Sequence, residues 1–346
     1  MHAMIFHGPG QKSWDEVADP TIECPTDAVV RVDAVTICGT DLHILKGDVP
    51  ETTPGRVLGH EAVGTVVEVG SGVARVEVGD RVLVSCISSC GSCRFCREQR
   101  YGQCTGGGGW ILGHTIDGTQ AELVRVPFAD NSTHPVPSGL SDEQMLMLAD
   151  IFPTSYEVGV LNGQVKPGDV VVIIGAGPIG LAAVMTSKLF SPSRIVVVDR
   201  DSGRLQAALK VGADTVIDNT TEDVVEVVRA LTEGLGADVA MEAVGLPATF
   251  ELAVDVVRPG GHVANIGVHG ASAALHLETI WIRDLTITTG LVDTFSTPTL
   301  ATLAAGGTLD PSGLITHRFR MNEFTEAYDV FSGAADSGSL KVVISR

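Results

Sequence analysis

The sequence predicts an α/β protein with two kinds of domain, one β-rich and one built on a parallel sheet. Three observations predict it. Residues 1–150 carry short β-rich runs broken by Gly, Pro and Asp. Residues 169–268 alternate strand and helix patterns, the mark of βαβ units and so of a parallel sheet with helices on both faces. A length of 346 residues exceeds one simple core and suits two domains.

In the first part, DAVVRVDAV (27–35), EAVGTVVEVG (61–70) and DRVLVSC (80–86) read as strands. Their close spacing, with turn residues between, suggests a barrel-like or sandwich-like domain. The alternating region starts with VVVIIG (170–175), a buried strand, and PIGLAAVMTSKLF (178–190), a helix with Pro178 at its start. RIVVVD (194–199) is the next strand, and SGRLQAALKVG (202–212) a helix ending in Gly. DTVIDN (214–219), ADVAMEAVG (237–245) and HVANIGV (262–268) continue the strands. EDVVEVVRALTEG (222–234) and PATFELAVDVV (247–257) are the helices between them. The tail, about 290–346, is less regular, with a helix within 317–333 and a last strand, LKVVISR (340–346).

Composition narrows the function. Hydrophobic residues make up 44% and charged residues 19%, which reads as globular rather than disordered. The formal net charge of −19 suits a phosphate backbone poorly, so nucleic acid is not an expected partner. The longest apolar run, residues 170–185, contains three glycines and a proline and reads as strand, turn and helix rather than a membrane span. No targeting segment is visible at the start, and a cytoplasmic protein is expected. A reducing compartment and an odd count of seven cysteines both argue against a disulfide framework.

GAGPIG (175–180) matches G-x-G-x-x-G. The pattern alone is weak, but here it follows an apolar strand and opens a helix. Gly175 allows the tight turn, Gly177 lets the backbone approach a pyrophosphate, and Gly180 lets the helix pack on the strand. Pro178 and Ile179 lie in the first turn, whose free N–H groups and dipole favour phosphates. Asp199, ending the next strand, can accept hydrogen bonds from ribose hydroxyls and repels a 2′-phosphate, which favours NAD over NADP. Arg200 beside it opposes that reading, since arginine accommodates a 2′-phosphate. The alternative use of Asp199 is as a helix cap.

Two sets of residues suggest metals. In CGSCRFCREQRYGQC, Cys90, Cys93, Cys96 and Cys104 follow C-x2-C-x2-C-x7-C. Four thiolates so close in sequence can close a tetrahedron around zinc, which leaves no open position and makes the site structural. An iron–sulfur cluster is the main rival. The second set is dispersed: Cys38, Thr40 and His43 in ICGTDLH, His60 and Glu61 in LGHEAVG, and Asp150 in MLADIFPTSYE. Singly, each of these is an ordinary core, packing or capping residue.

Taken in order, CGTDLH, GHEAVGTVVEVG, VGDRV, the four-cysteine lobe, GAGPIG, VVVD, MEAVG and RPGG resemble the zinc-dependent alcohol dehydrogenases of the medium-chain dehydrogenase/reductase superfamily. The resemblance spans nearly the whole chain. It implies a Rossmann dinucleotide-binding domain inserted in a GroES-like β-rich catalytic domain. The implied boundaries are 1–152 for the catalytic domain with its lobe at 90–104, 153–291 for the Rossmann domain, and 292–346 for a return segment. It implies Cys38, His60 and Asp150 as ligands of a catalytic zinc, with Glu61 as an occasional fourth. Aspartate as third ligand, and Trp110 in the substrate pocket, are similar to bacterial secondary alcohol dehydrogenases. The best-known of those lack the four-cysteine lobe and use NADP, so their substrate range does not carry over.

The resemblance further implies a proton relay in which Thr40 takes the alcohol proton and passes it through the cofactor ribose, and His43 hands it to solvent. It places Val244, Ile266, Val268, Leu291 and Val292 around the nicotinamide, and Lys341 near the cofactor phosphates. The implied activity is reversible hydride transfer between NAD and a small primary or secondary alcohol, with two zinc ions per chain. Alternatives are a polyol or threonine dehydrogenase of the same superfamily, or a non-catalytic ligand-binding relative. A small-molecule substrate and a homo-oligomer, tetramer or dimer, are the expected partners.

Overall fold

A computed structural model describes residues 1–346. The chain divides into two compact units: Met1–Asp150 with Val292–Arg346, and Ile151–Leu291. No helix is long and apolar enough to cross a membrane.

The Ile151–Leu291 unit is a six-stranded parallel sheet. Its order is Thr215–Asp218, Arg194–Asp199, Val170–Ile174, Ala237–Glu242, Val257–Asn265, Thr286–Thr289. Val171 to Ile174, Val196 to Val198 and Val239 to Met241 are almost wholly buried, as expected of strands covered on both faces. The order reverses between Val170–Ile174 and Ala237–Glu242, and such a switch point is where open α/β sheets bind ligands.

Two elements depart from their sequence expectation here. The strand expected over 237–245 stops at Glu242, because its side chain turns back to accept the N–H groups of Val244 and Gly245, each at 2.8 Å. The strand expected over 262–268 instead spans Val257–Asn265, with a register shift that lets it pass through Pro259–Gly261. A π-helical turn over Ser155–Leu161 has no counterpart in the sequence reading.

The other unit joins a three-stranded and a seven-stranded sheet around one core. Met4 and Phe6 of the smaller sheet share this core with Val30, Val35, Val84 and Val342 of the larger. Lys341–Ser345 lies between Ile315–Arg320 and Ala28–Thr36, so the end of the chain supplies an interior strand to a sheet begun by its first forty residues.

Candidate active site

The dispersed ligand candidates meet inside the first unit. Cys38, His60, Glu61 and Asp150 each offer an atom within 4.8 Å of the others. Cys38 caps the Gly39–Lys46 helix, and Asp41, three residues on, accepts its N–H at 2.9 Å. That bond fixes the backbone from which the thiol projects. His60 follows Gly59, whose φ of +91° is left-handed and whose face lies against Gln120; an added Cβ would sit 2.4 Å from Gln120 Cγ. Asp150 Oδ2 lies 3.5 Å from Cys38 Sγ and 3.5 Å from His60 Nε2. Ligands on a tetrahedral zinc stand about 3.3–3.7 Å apart, given bonds of about 2.0–2.3 Å.

The electrostatics call for a cation. Burial, then the neighbouring Asp150, pushes the Cys38 thiol up from its ordinary value. Burial opposes a charged His60, yet bonds to Asp150 and Cys38 outweigh it and hold the ring well above its usual range. Crowding a thiol, an imidazole and carboxylates together disfavours their deprotonated forms, a cost that a divalent cation held among them would offset. His60 Nδ1 and Asp41 Oδ1 are buried, 3.9 Å apart and without hydrogen bonds, poised as the orienting pair that metal-bound histidines use. The donor set fits zinc.

Around this centre the structure places the other candidates. Thr40 Oγ1 is 3.6 Å from Cys38 Sγ. His43 lies one helical turn further on, bonded through Nδ1 to Asp48 at 2.9 Å. Trp110 meets His60 edge-on, with ring centroids 6.2 Å apart, and stacks on His114 at 4.2 Å.

Lys341 is the main revision. It was expected beside cofactor phosphates, but its Nζ is buried and donates to Ile37 O at 3.1 Å and to both Glu61 oxygens at 2.9 Å. Burial disfavours its charge, yet Glu61 and the nearby acids outweigh this and hold its pKa up. All three ammonium protons are used inside the unit, so none is left for a phosphate.

The four-cysteine lobe is a compact sulfur cage. Cys90, Cys93, Cys96 and Cys104 are all free thiols clustered within 4.8 Å. Cys90 and Cys96 sulfurs are 3.9 Å apart and Cys93 and Cys104 sulfurs 4.0 Å, against about 3.8 Å for the edge of a zinc–thiolate tetrahedron. A cluster of several irons would spread its cysteines wider. Cys93 caps the short Arg94–Arg97 helix, and backbone N–H groups of Cys90, Cys93 and Cys96 point at sulfurs from 3.4–3.5 Å. Hydrogen bonds from the Cys96 and Thr105 backbones pull the Cys93 thiol down to about 5, while burial and the adjacent sulfurs push Cys96 up to about 12.

In the second unit, Gly175 has φ +102° and packs so closely that a Cβ would meet Val244 Cγ2 at 2.6 Å. A Cβ at Gly180 would lie 1.8 Å from Gly175 O, so the helix rests directly on the turn. At Gly177 a Cβ would meet nothing within 4 Å. Gly177 is the N-cap of Pro178–Ser187 and supplies no side-chain bond, leaving the N–H groups of that first turn, including Ile179, without a side-chain cap. This open, uncapped cradle fits a pyrophosphate.

Asp199 Oδ2 accepts Ala176 N–H at 2.7 Å, and Oδ1 accepts the N–H groups of Arg200 and Asp201. The helix cap is Asp201, not Asp199. Arg200 is exposed. Val244, Val268 and Leu291 are exposed apolar side chains, whereas Ile266 and Val292 are buried; Ile266 fills the space over Gly159.

The sequence reading missed Asp41, Gln120 and His114. Asp41 had a signal, its position at the third residue of a helix capped by Cys38. Gln120, which donates to Asp41 at 2.9 Å and accepts from Tyr328 at 2.7 Å, and His114 had none.

Comparison with known proteins agrees with this geometry. The Alcohol dehydrogenase GroES-like domain family matches residues 24–138, and the Zinc-binding dehydrogenase family matches residues 178–308. An alcohol dehydrogenase of Cupriavidus necator is 36% identical over 99% of this chain and 98% of its own. The solved zinc-dependent alcohol dehydrogenase 2 of Streptococcus pneumoniae, in its apo form, has a TM-score of 0.96 and 46% identity, covering 100% of this chain and 98% of that one. An alcohol dehydrogenase of E. coli solved with NADH has a TM-score of 0.90 and 29% identity, covering 100% and 99%. A zinc-binding dehydrogenase of Sinorhizobium meliloti bound to NADP has a TM-score of 0.87 and 30% identity, also covering 100% and 99%. The chain therefore belongs to the zinc-type alcohol dehydrogenases of the medium-chain dehydrogenase/reductase superfamily, zinc-dependent oxidoreductases that work with NAD(P).

Proposed function

We propose that the protein is an alcohol dehydrogenase that oxidises small primary or secondary alcohols with NAD and reduces the matching aldehydes or ketones. The observation that supports this most is the convergence of Cys38, His60, Asp150 and Glu61 within 4.8 Å, from segments up to 112 residues apart.

Cys38, His60 and Asp150 would hold a catalytic zinc, Cys90, Cys93, Cys96 and Cys104 a structural one, and Gly175–Gly180 with Asp199 the dinucleotide. When bound, these groups supply a Lewis acid for the alcohol or carbonyl oxygen and a hydride acceptor. The chain's own residues do the rest. With Cys38, His60 and Asp150 as its protein ligands, such a zinc would have room for a substrate oxygen, and Trp110 stands edge-on to His60 beside these ligands. Thr40 accepts the hydroxyl proton and His43 hands it to solvent, a task suited to imidazole. Glu61 stays with Lys341, which engages both of its oxygens. Asp199 favours ribose hydroxyls over a 2′-phosphate. We assign the catalytic domain to 1–152 and 292–346 and the dinucleotide domain to 153–291.

The test is cofactor-coupled absorbance on zinc-replete protein, with a panel of alcohols, polyols and threonine, using NAD and NADP separately. Turnover on none of them overturns the dehydrogenase reading. Faster turnover with NADP overturns the role given to Asp199, and preference for polyols or threonine overturns the substrate class.

A further inference from the structure

The Gly39–Lys46 helix ends in a way that places a carboxylate on the ring of His43. Gly47 has φ +88° and donates to Ile44 O at 2.9 Å, and Asp48 N–H donates to His43 O at 3.0 Å. This left-handed glycine cap folds the chain back over the last turn. Asp48 is thereby held to His43 twice, once by backbone and once by its Oδ2, 2.9 Å from Nδ1. Glycine can take this φ without strain, so the sequence Lys-Gly-Asp builds the contact locally.

We propose that Asp48 is a positioning residue for His43, fixing the ring with its proton on Nδ1 and leaving Nε2 as the proton-accepting atom. The proposal rests on the relay role given to His43 above. An ionised carboxylate only accepts hydrogen bonds, so the nitrogen facing it must carry hydrogen. The other nitrogen then keeps its lone pair.

The transfer is a simple exchange. Thr40 takes up the substrate hydroxyl's proton as it releases its own, an N–H bond forms at His43 Nε2, and the imidazolium then gives a proton to water, so each bond formed is matched by one broken. The Nδ1 proton stays on the ring throughout, donated to Asp48, whose carboxylate offsets the transient positive charge.

His43 lines a cavity of ≈ 540 Å³ together with Lys12, Lys46 and Tyr328. Lys12 Nζ sits 5.1 Å over the Tyr328 ring and 4.0 Å from Asp329, and Lys46 is on the same helix as His43. Asp48 is the carboxylate bonded to the ring.

The test combines nitrogen-15 NMR of the His43 ring with steady-state kinetics on full-length, zinc-loaded protein. In the wild type the neutral ring is expected as the Nδ1–H tautomer. Asp48→Ala should move it toward Nε2–H and lower kcat about two- to fivefold with KM little changed, the rate equivalent of losing an exposed charge-assisted pair. Asp48→Asn, whose amide oxygen still accepts from Nδ1, should keep the tautomer and lose less rate. An unchanged tautomer in Asp48→Ala overturns the proposal, as does a changed tautomer with unchanged kcat. His43→Gln separates this from the relay reading: if it turns over as fast as wild type, the relay itself falls, whatever the tautomer shows. Thermal melts matching wild type exclude misfolding of the variants.

Discussion

Lys341 and Glu61 lie 280 residues apart in sequence and form a buried pair beside the candidate zinc ligands. Removing one partner leaves the other charge stranded away from water. Lys341→Met should therefore destabilise the first unit by about 3–5 kcal/mol, read as a shifted denaturation midpoint. Adding Glu61→Gln should recover much of the loss, because the stranded charge is gone; equal stability of wild type and Lys341→Met would refute the pair's importance. His134 is a second titratable residue of interest, half-buried in the Thr133–Pro135 strand with its Nε2 atom buried and unpartnered. Burial pushes its pKa down to about 4. Between pH 6.5 and 4 the unfolded chain binds a proton that the folded chain refuses, so stability falls as pH drops through this window. The loss is about 3 kcal/mol in total. Acid denaturation of His134→Leu should be flatter than wild type across that range, and parallel curves would contradict the assignment.

At the scale of elements, the two candidate metal-ligand clusters are built differently and should fail differently. The four-cysteine lobe has little regular structure, a four-residue helix and a three-residue 3-10 turn, so its shape depends on what binds its sulfurs. Cys93→Ser should lower thermal stability first and remove one zinc per chain by elemental analysis. The other set hangs on longer, independently packed elements, the Gly39–Lys46 helix and the sheet beside His60. Cys38→Ser should abolish turnover and leave the melting curve nearly intact. A stable Cys93→Ser protein that still holds two zinc ions would exclude a structural role for the lobe. The dinucleotide fingerprint was legible for a related reason. Gly175 and Gly180 pack on each other directly, so their close spacing in sequence already carries the geometry. Ile266 was less legible: its position after a strand matches a loop residue, but the side chain turns into the core over Gly159.

On the scale of the whole molecule, the first unit is closed by the chain's last strand. Lys341–Ser345 pairs on both edges, antiparallel to Ala28–Thr36 and parallel to Ile315–Arg320. Its residues Val342, Val343 and Ile344 are buried. Deleting residues 339–346 would open two strand edges and strip Glu61 of its lysine. Such a truncation should lose tertiary near-ultraviolet signal and zinc, and become protease-sensitive within the first unit. A truncated protein that kept zinc and protease resistance would show that the return strand is dispensable.

The sequence by itself determined the alternation that makes the parallel sheet, the glycine cradle and the four-cysteine lobe. In each of these the interacting residues are neighbours along the chain, and backbone periodicity or spacing is enough. Only the tertiary structure decided that Cys38, His60 and Asp150 meet, since no local rule links residues 112 apart; before that, their reading depended on family resemblance. It also moved Lys341 from a cofactor-facing role to a buried partner of Glu61. Burial is a property of what packs around a side chain, and the strand carrying Lys341 is enclosed only once both ends of the chain have joined the same sheet.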